Sequence, residues 1–248
     1  MDNSQGALTP GVYSLAWLAL AVGVLPFVVV HISFVASGIN GYVPLCNPYF
    51  DGCASISASG RHGFSYIFFK FGMIPAAVLL AAFWVLCGQW LRLLGDQSTI
   101  IQWVMVFIGC TSAVFLVLYT VYLGSRGDFY QFMRRTGVTV YFSFSYLAQL
   151  LLLARLQRLQ RHHLIALPVY ILRSKTIIVS ALLIFGLVSI PVANLMIDKA
   201  MIDKDRMENI IEWFFSLLMI SYYFFTWLAW RQIGPSLSNK PLAITLNS

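Results

Sequence analysis

The sequence predicts an all-α fold, a polytopic bundle of six transmembrane helices with both termini in the cytoplasm. Of its 248 residues, 59% are hydrophobic and only 10% are charged, whereas soluble domains carry about 25% charged residues. Apolar runs of about twenty residues, the length that crosses a hydrocarbon core of roughly 30 Å, recur along the chain. No Pro/Gly/Ser-rich or charged linker is long enough to divide it, so we expect a single transmembrane domain over residues 1–248.

The first three predicted spans follow from apolar runs between polar segments. They cover about 13–36, with Pro26 as the expected kink, then about 64–94 and 99–123. A segment dense in Gly, Pro, Ser and Asn, residues 38–63, separates the first two spans, and we call it loop one. Its serines Ser55, Ser57 and Ser59 are predicted turn residues. Gly95–Ser98 is a predicted tight turn, with Ser98 or Thr99 as the N-cap of the third span.

The last three spans are predicted over about 138–156, 176–197 and 210–230. The segment between the fourth and fifth spans is basic and has no acidic residue, which is the strongest cytoplasmic signal in the chain. With six spans it predicts that both termini are cytoplasmic and that loop one faces outward. The basic residues of this segment are Arg155, Arg158, Arg161, Arg173 and Lys175.

Loop one holds a cysteine pair, Cys46 and Cys53. Six intervening residues allow a small disulfide-closed loop, and the outward side is the oxidising side of a membrane. Two free thiols are the alternative. Cys87 and Cys110 lie inside predicted spans, where they are expected to act as apolar packing residues.

Ionisable and polar groups in or beside the spans concentrate in the predicted outer half of the bundle. Such groups are costly in a membrane and therefore become candidates for a functional site. Lys70 lies about six residues into its span from the outer side. The other ionisable and polar groups are His31, Arg134, Arg135, Asn194, Asp198 and Glu212.

This asymmetry predicts a polar pocket that opens to the outer leaflet and accepts an anionic lipid head group. The expected lipid-binding residues are Lys70, Arg61, Arg134, Arg135, Asn194 and Asp198, and the candidates for an acid or base are His31, Asp51, His62 and Glu212. Structural roles are the alternatives. Lys70 can snorkel to the interface, Arg134 and Arg135 can anchor a helix there, and His31 can be a packing residue. Glu212 and Asp198 can be interfacial residues or pair with Lys199 and Arg206.

Composition and motifs exclude several other classes of function. A net charge of +7 is usual for multi-span proteins that retain Lys and Arg in cytoplasmic loops, so nucleic acid is not an expected partner. The sequence has no HExxH, GxSxG, P-loop or CxxC motif. The four histidines divide between the two sides of the predicted bundle, so we expect no metal site, and no motif predicts a cofactor. The last span has no lysine, which disfavours a retinal-type receptor.

Loop one and the second span, NPYFDGCASISASGRHGFSYIFFKFGMIPAAVLL, resemble the Frag/DRAM/Sfk family of six-span membrane proteins. A second, weaker similarity is MRRTGVTVYFSFSYL at the entry to the fourth span. The resemblance implies lipid handling, since relatives include factors that remodel the lipid of GPI anchors. Two departures are the Cys46/Cys53 pair and the absence of a Glu before the second span. The matching positions are Pro48, Tyr49, Asp51, Ser57, Gly60, Phe68, Gly72, Met73, Arg135, Gly137, Tyr141 and Phe142.

The leading hypothesis is a protein that binds or remodels an anionic lipid at the outer leaflet, with membrane lipids as partners. Whether it is an enzyme stays open; if it is, acyl transfer or hydrolysis is the expected reaction. The alternatives are a non-enzymatic accessory or scaffold subunit, whose partner is another membrane protein, and a small transporter, which should place polar groups near the membrane midplane. The compact chain predicts a bacterial inner membrane, with a eukaryotic endomembrane or plasma membrane as the alternative.

Overall fold

The computed structural model describes the backbone of residues 10–199 and 204–238, and the side chains of residues 15–187 and 205–233. These ranges contain helices and no strands. All helices except α2 contain a stretch long and apolar enough to cross a bilayer. The all-α prediction is confirmed, and the chain is a multi-pass integral membrane protein. The helices are α1 Pro10–Ile39, α2 Ile56–Ser59, α3 Gly63–Leu93, α4 Thr99–Tyr122, α5 Asp128–Arg161, α6 Val169–Lys199 and α7 Lys204–Ser238.

The six long helices form a ring in which each packs on its neighbours. Helix α1 packs on α3 and α7, α3 on α4, α4 on α5, and α6 on α7, whereas α5 and α6 contact each other much less. Close approach of α3 and α4 requires Gly109, because a Cβ there would enter the Trp84 ring. Trp84 and Phe83 are fully buried and pack on Tyr223 of α7. Aromatic residues therefore fill the middle of the ring, where their large apolar area is removed from lipid.

Three helices begin well before the predicted spans, which corrects the expected boundaries. Helix α5 begins at Asp128 and not near 138, α6 at Val169 and not near 176, and α7 at Lys204 and not near 210. Hydrophobicity marks only the part of a helix inside the hydrocarbon, while Arg, Lys and Gln are good helix formers outside it. Arg134 and Arg135 thus lie inside α5 instead of preceding it. The basic segment predicted as a loop is mostly helical, with only 162–168 between the two helices.

Loop one is built around a short helix and is not a set of simple turns. Ser55 caps α2 by accepting a hydrogen bond from the Ala58 N–H (3.0 Å), and the Ser59 hydroxyl donates to the Ser55 carbonyl (3.0 Å). Cys46 and Cys53 form a disulfide, with a Cα–Cα distance of 6.4 Å. The serines expected as turn residues are therefore part of a capped helical turn.

Loop one is fixed to the beginning of α7 by two side chains. The Asn209 Nδ2 donates to the Gly52 carbonyl and the Trp213 Nε1 donates to the Ala54 carbonyl, each at 2.9 Å. Gly52 has φ +60°, and a Cβ there would meet the Arg206 carbonyl oxygen. Only glycine accepts both this backbone conformation and this contact. Loop one therefore covers the end of the ring near α7.

Candidate functional site

The ring encloses a large cavity at the end covered by loop one, which we call the loop-one end. Its volume is about 1240 Å³, and its walls come from loop one, from α5 and from the first turns of α7, with Tyr119 of α4 and Gly186 of α6 completing them. Helices α5 and α7, which both contribute to these walls, contact each other little. The charged lining residues are Asp51, Arg61, Arg134, Arg135, Asp205, Arg206, Glu208 and Glu212.

Arg61 and Arg134 are close enough for their positive charges to repel each other. Arg61 donates through Nη2 to the Ser57 hydroxyl (2.7 Å), and Arg134 donates through Nη1 to the Ser125 carbonyl (2.5 Å). Neither forms an ion pair with a carboxylate within the described part of the chain. Neutral oxygens hold the two guanidinium groups in place without compensating their charge, so an anion between them would gain both attractions.

Tyr119 is the buried polar group of the cavity. Its side chain is only 4% exposed, and its hydroxyl forms no hydrogen bond in the described structure. Ser57, Arg61, Arg134 and Glu212 are all close enough to interact with it electrostatically. An unpaired buried hydroxyl costs about 1–3 kcal/mol. Its position in the cavity wall indicates a polar partner that occupies the cavity.

Glu212 occupies the α7 side of the cavity and is half-buried. The Ile56 backbone N–H, at the start of α2, is near enough to stabilise its carboxylate. Arg61 and Glu208 are within electrostatic range, but Glu212 forms no ion pair among the residues whose side chains are described. A carboxylate offers about four acceptor positions, so most of its hydrogen-bonding capacity remains.

A second, smaller cavity of about 460 Å³ adjoins the first and shares Arg61, Gln131 and Arg134 with it. The 124–127 turn, with Arg126, and the His62 side chain form its other walls, and none of the described residues that line it is acidic. His62 stacks on Tyr42 with a ring-centroid distance of 5.2 Å. Arg61 and Arg134 therefore form a basic wall that the two cavities share.

The structure brings five of the predicted site residues together in the large cavity: Arg61, Arg134, Arg135, Asp51 and Glu212. The Asp51 carboxylate also accepts the Asn47 backbone N–H at 2.9 Å, which closes a turn of loop one. Arg135 is exposed within the cavity mouth. Cations and acids far apart in sequence thus share one space, as expected from their common position near one end of the bundle.

His31 lies outside both cavities. Its Nδ1 is 2.7 Å from the Phe27 carbonyl and its Nε2 is 3.0 Å from the Tyr49 hydroxyl. Trp213 packs edge-on against its ring at 5.3 Å. Burial raises the pKa of Tyr49, which keeps its phenol a neutral hydrogen-bonding group. The contacts of His31 fix loop one to α1, a structural role.

Lys70 is also outside the cavities. Its Nζ donates to the Tyr66 hydroxyl (2.5 Å) and to the Val121 carbonyl (2.8 Å), so it joins α3 to the end of α4. The expectation that Lys70 shares one cavity with Arg135 and Glu212 is therefore not met. Asn194 and Asp198 belong to α6 but lie outside the residues whose side chains are described.

Sequence reasoning missed Lys175, which it assigned to a cytoplasmic loop. Lys175 lies inside α6 and is fully buried. Its Nζ donates to the Thr226 hydroxyl at 2.6 Å and lies 3.4 Å from the centre of the Tyr222 ring. Costly groups are therefore not confined to the loop-one end. Because no acid is near Lys175 in sequence, it resembled the neighbouring loop arginines. The available signal was the apolar residue four positions away on each side, Ile171 and Val179, which places Lys175 on an apolar helical face. Both residues are buried in the structure.

The opposite end of the ring, which we call the Asp96 end, contains a buried ion pair. Arg155 binds both oxygens of Asp96, with Nε at 3.0 Å from Oδ2 and Nη2 on Oδ1. Burial alone would raise the pKa of Asp96, but hydrogen bonds from Arg155, Gln102 and the Ser98 backbone outweigh it and hold the pKa below its usual range. This pair joins the α3–α4 turn to α5, so here the charges are mutually satisfied.

Comparison with family models, with curated proteins and with solved structures finds no match for this chain. The resemblance to the Frag/DRAM/Sfk family therefore stays a prediction. The fold and the helix composition establish the broader identity: this chain is a multi-pass integral membrane protein, with six helices in its described part that are long and apolar enough to span a membrane.

Proposed function

We propose that this membrane protein binds the anionic group of a lipid head group in the cavity at the loop-one end. The acyl chains would leave between α5 and α6, the least tightly packed neighbours of the ring. The apolar residues Val138, Phe142 and Phe215 also line the cavity and offer a matching apolar surface. A phosphate placed between Arg61 and Arg134 would receive charge-assisted hydrogen bonds, which are the strong ones.

One observation supports this proposal above all others. Two guanidinium groups repel each other across a cavity, no carboxylate neutralises either of them in the described chain, and the unpaired Tyr119 hydroxyl is beside them. Each feature is unfavourable in the empty protein. A single phosphate would remove all three unfavourable features, because it would bridge the guanidinium groups and accept a hydrogen bond from the Tyr119 hydroxyl.

The test measures binding of short-chain phosphatidylglycerol by native mass spectrometry of the purified protein in detergent. We expect R61Q and R134Q each to weaken binding by about tenfold or more, because hydrogen bonds between charged groups contribute about 1.5–3 kcal/mol. The matched control is R158Q, which removes the same charge from an exposed position of α5 at the Asp96 end.

If R61Q and R134Q bind the lipid as tightly as the wild type does, or if R158Q weakens binding equally, the head-group site is wrong. In that outcome the accessory or scaffold role becomes the better hypothesis. The melting temperature of each variant in detergent shows whether the fold is intact, so that loss of binding is not confused with unfolding.

We extend the proposal to sidedness: loop one and the cavity face the non-cytoplasmic side of a bacterial inner membrane. The Cys46–Cys53 disulfide supports this, since such bonds persist on the oxidising side. The lipid role also agrees with the resemblance of loop one and α3 to the Frag/DRAM/Sfk family. After reduction, a membrane-impermeant thiol reagent added to whole spheroplasts should label Cys46 and Cys53; labelling only after lysis would reverse the orientation.

A further inference from the structure

The charges of the large cavity are divided between its two sides. Helix α7 supplies Asp205, Glu208 and Glu212, whose spacing places them on one helical face. Across the cavity, loop one and α5 supply Arg61, Arg134 and Arg135. With Asp51, the cavity holds four of the nine acidic residues of the whole chain. A site for a purely anionic ligand does not require so many acidic residues.

The formal charges of this lining cancel, because Arg206 raises the arginines to four against four carboxylates. The chain as a whole carries +7. An anion with no positive group would gain at Arg61 and Arg134 but would face the carboxylates of α7 across the same space. A head group with a negative and a positive group, aligned along the cavity, would interact favourably with both sides.

Tyr119 and Glu212 show where the two sides meet. Tyr119 is only 4% exposed, and its unpaired hydroxyl is within electrostatic range of Arg61, Arg134 and Glu212. A ligand that reaches the tyrosine from the arginine side therefore comes near Glu212 as well. The Glu212 carboxylate, near the Ile56 N–H, has acceptor positions available for a hydrogen-bond donor of the ligand.

We infer that the lipid bound in this cavity carries a primary ammonium group in addition to its phosphate, as in a phosphoethanolamine head group. This rests on the proposed function. The phosphate binds Arg61, Arg134 and the Tyr119 hydroxyl, and the ammonium donates hydrogen bonds to Glu212. A primary ammonium has three N–H donors for a carboxylate, whereas a quaternary ammonium has none and depends on aromatic faces.

The experiment compares three lipids with identical short acyl chains, which carry phosphoethanolamine, phosphoglycerol and phosphocholine head groups. Native mass spectrometry of the detergent-solubilised full chain gives the relative affinity of each lipid. We expect the wild type to prefer the phosphoethanolamine lipid about tenfold over the phosphoglycerol lipid. E212Q should abolish this preference while leaving phosphoglycerol binding unchanged or stronger. D128N, which alters an exposed acid of α5 that does not line the cavity, is the matched control.

The wild-type comparison needs no variant, so a misfolded E212Q would not prevent the test. Equal affinity of the wild type for phosphoethanolamine and phosphoglycerol lipids would overturn this inference and leave the proposed head-group site intact. Equal affinity for phosphocholine and phosphoethanolamine lipids would overturn the primary-ammonium assignment. Binding of all three lipids that does not depend on Arg61 and Arg134 would instead contradict the proposed function itself.

Discussion

The two ends of this bundle handle charge in opposite ways. At the Asp96 end, Arg155 and Asp96 are buried, and Arg155 binds both carboxylate oxygens of Asp96. The Gln102 side chain also donates a hydrogen bond to the Asp96 backbone carbonyl. At the loop-one end, Arg61 and Arg134 lie at a cavity without a carboxylate partner in the described chain. Charges that are paired and enclosed contribute to the fold, whereas charges held apart around a space are ready for a ligand. Burial alone does not distinguish these roles; the presence of a partner and of a cavity does.

The largest expected effect is the loss of the buried pair. D96N leaves the Arg155 guanidinium buried without its counter-charge, and removing one partner of such a pair typically costs about 3–5 kcal/mol. Thermal unfolding in detergent should show a marked decrease in melting temperature, with lipid binding of the folded fraction unchanged. An exposed acid provides the control, since D128N should leave the melting temperature nearly constant. An unchanged melting temperature in D96N would remove the contrast between the two ends.

Acid should break the same pair without a mutation. The pKa of Asp96 is lowered in the folded protein, so its contribution to stability is fully present above the unfolded value of about 3.9 and is lost as the pH falls through the folded pKa. The melting temperature should therefore decrease less in D96N than in the wild type when the pH is lowered from 6 to about 3. Parallel pH profiles of the two proteins would contradict this assignment.

The disulfide sets the second largest effect, and it acts at the loop-one end. Without the disulfide between Cys46 and Cys53 the unfolded chain gains conformational entropy, which lowers the free energy of unfolding by about 2 kcal/mol according to the usual loop-length relation. C46S/C53S should lower the melting temperature moderately and weaken lipid binding, because loop one supplies Arg61 and covers the cavity. The double variant C87A/C110A, which changes the free cysteines, is the comparison for general thiol effects. Full lipid affinity in C46S/C53S would show that loop one does not need this constraint to form the site.

Tyr119 gives the smallest effect and the most discriminating one. Y119F removes a buried hydroxyl that has no partner, so the empty protein should become more stable by about 1 kcal/mol, while phosphatidylglycerol binding becomes weaker. The control is Y222F, since the Tyr222 hydroxyl donates to the Gln149 carbonyl at 2.7 Å. That variant should be less stable and bind lipid normally. Loss of stability in Y119F would mean that its hydroxyl already has a structural partner.

Particular residues show how far the sequence alone could predict this site. Arg61, Arg134, Arg135, Asp51 and Glu212 were predicted from their position near one end of the spans, and the structure places all five at one cavity. His31 and Lys70 satisfied the same criterion but bond to neighbouring backbone and tyrosine oxygens. Distance along a helix gives the depth of a side chain, yet the direction it faces depends on which neighbour packs there. Tyr119 could not be selected at all, because an unpaired hydroxyl is a property of its surroundings.

The sequence by itself determined the number of spans, the approximate position of each and the helical class, because the length and hydrophobicity of a segment decide whether it crosses a bilayer. Only the tertiary structure decided the helix ends in α5 and α6, the burial of Lys175, the pairing of Asp96 with Arg155 and the location of the cavity between α5 and α7. The physical reason is that insertion into a membrane depends on sums over a local segment. Pairing of charges and enclosure of a cavity depend on contacts between segments far apart in the chain.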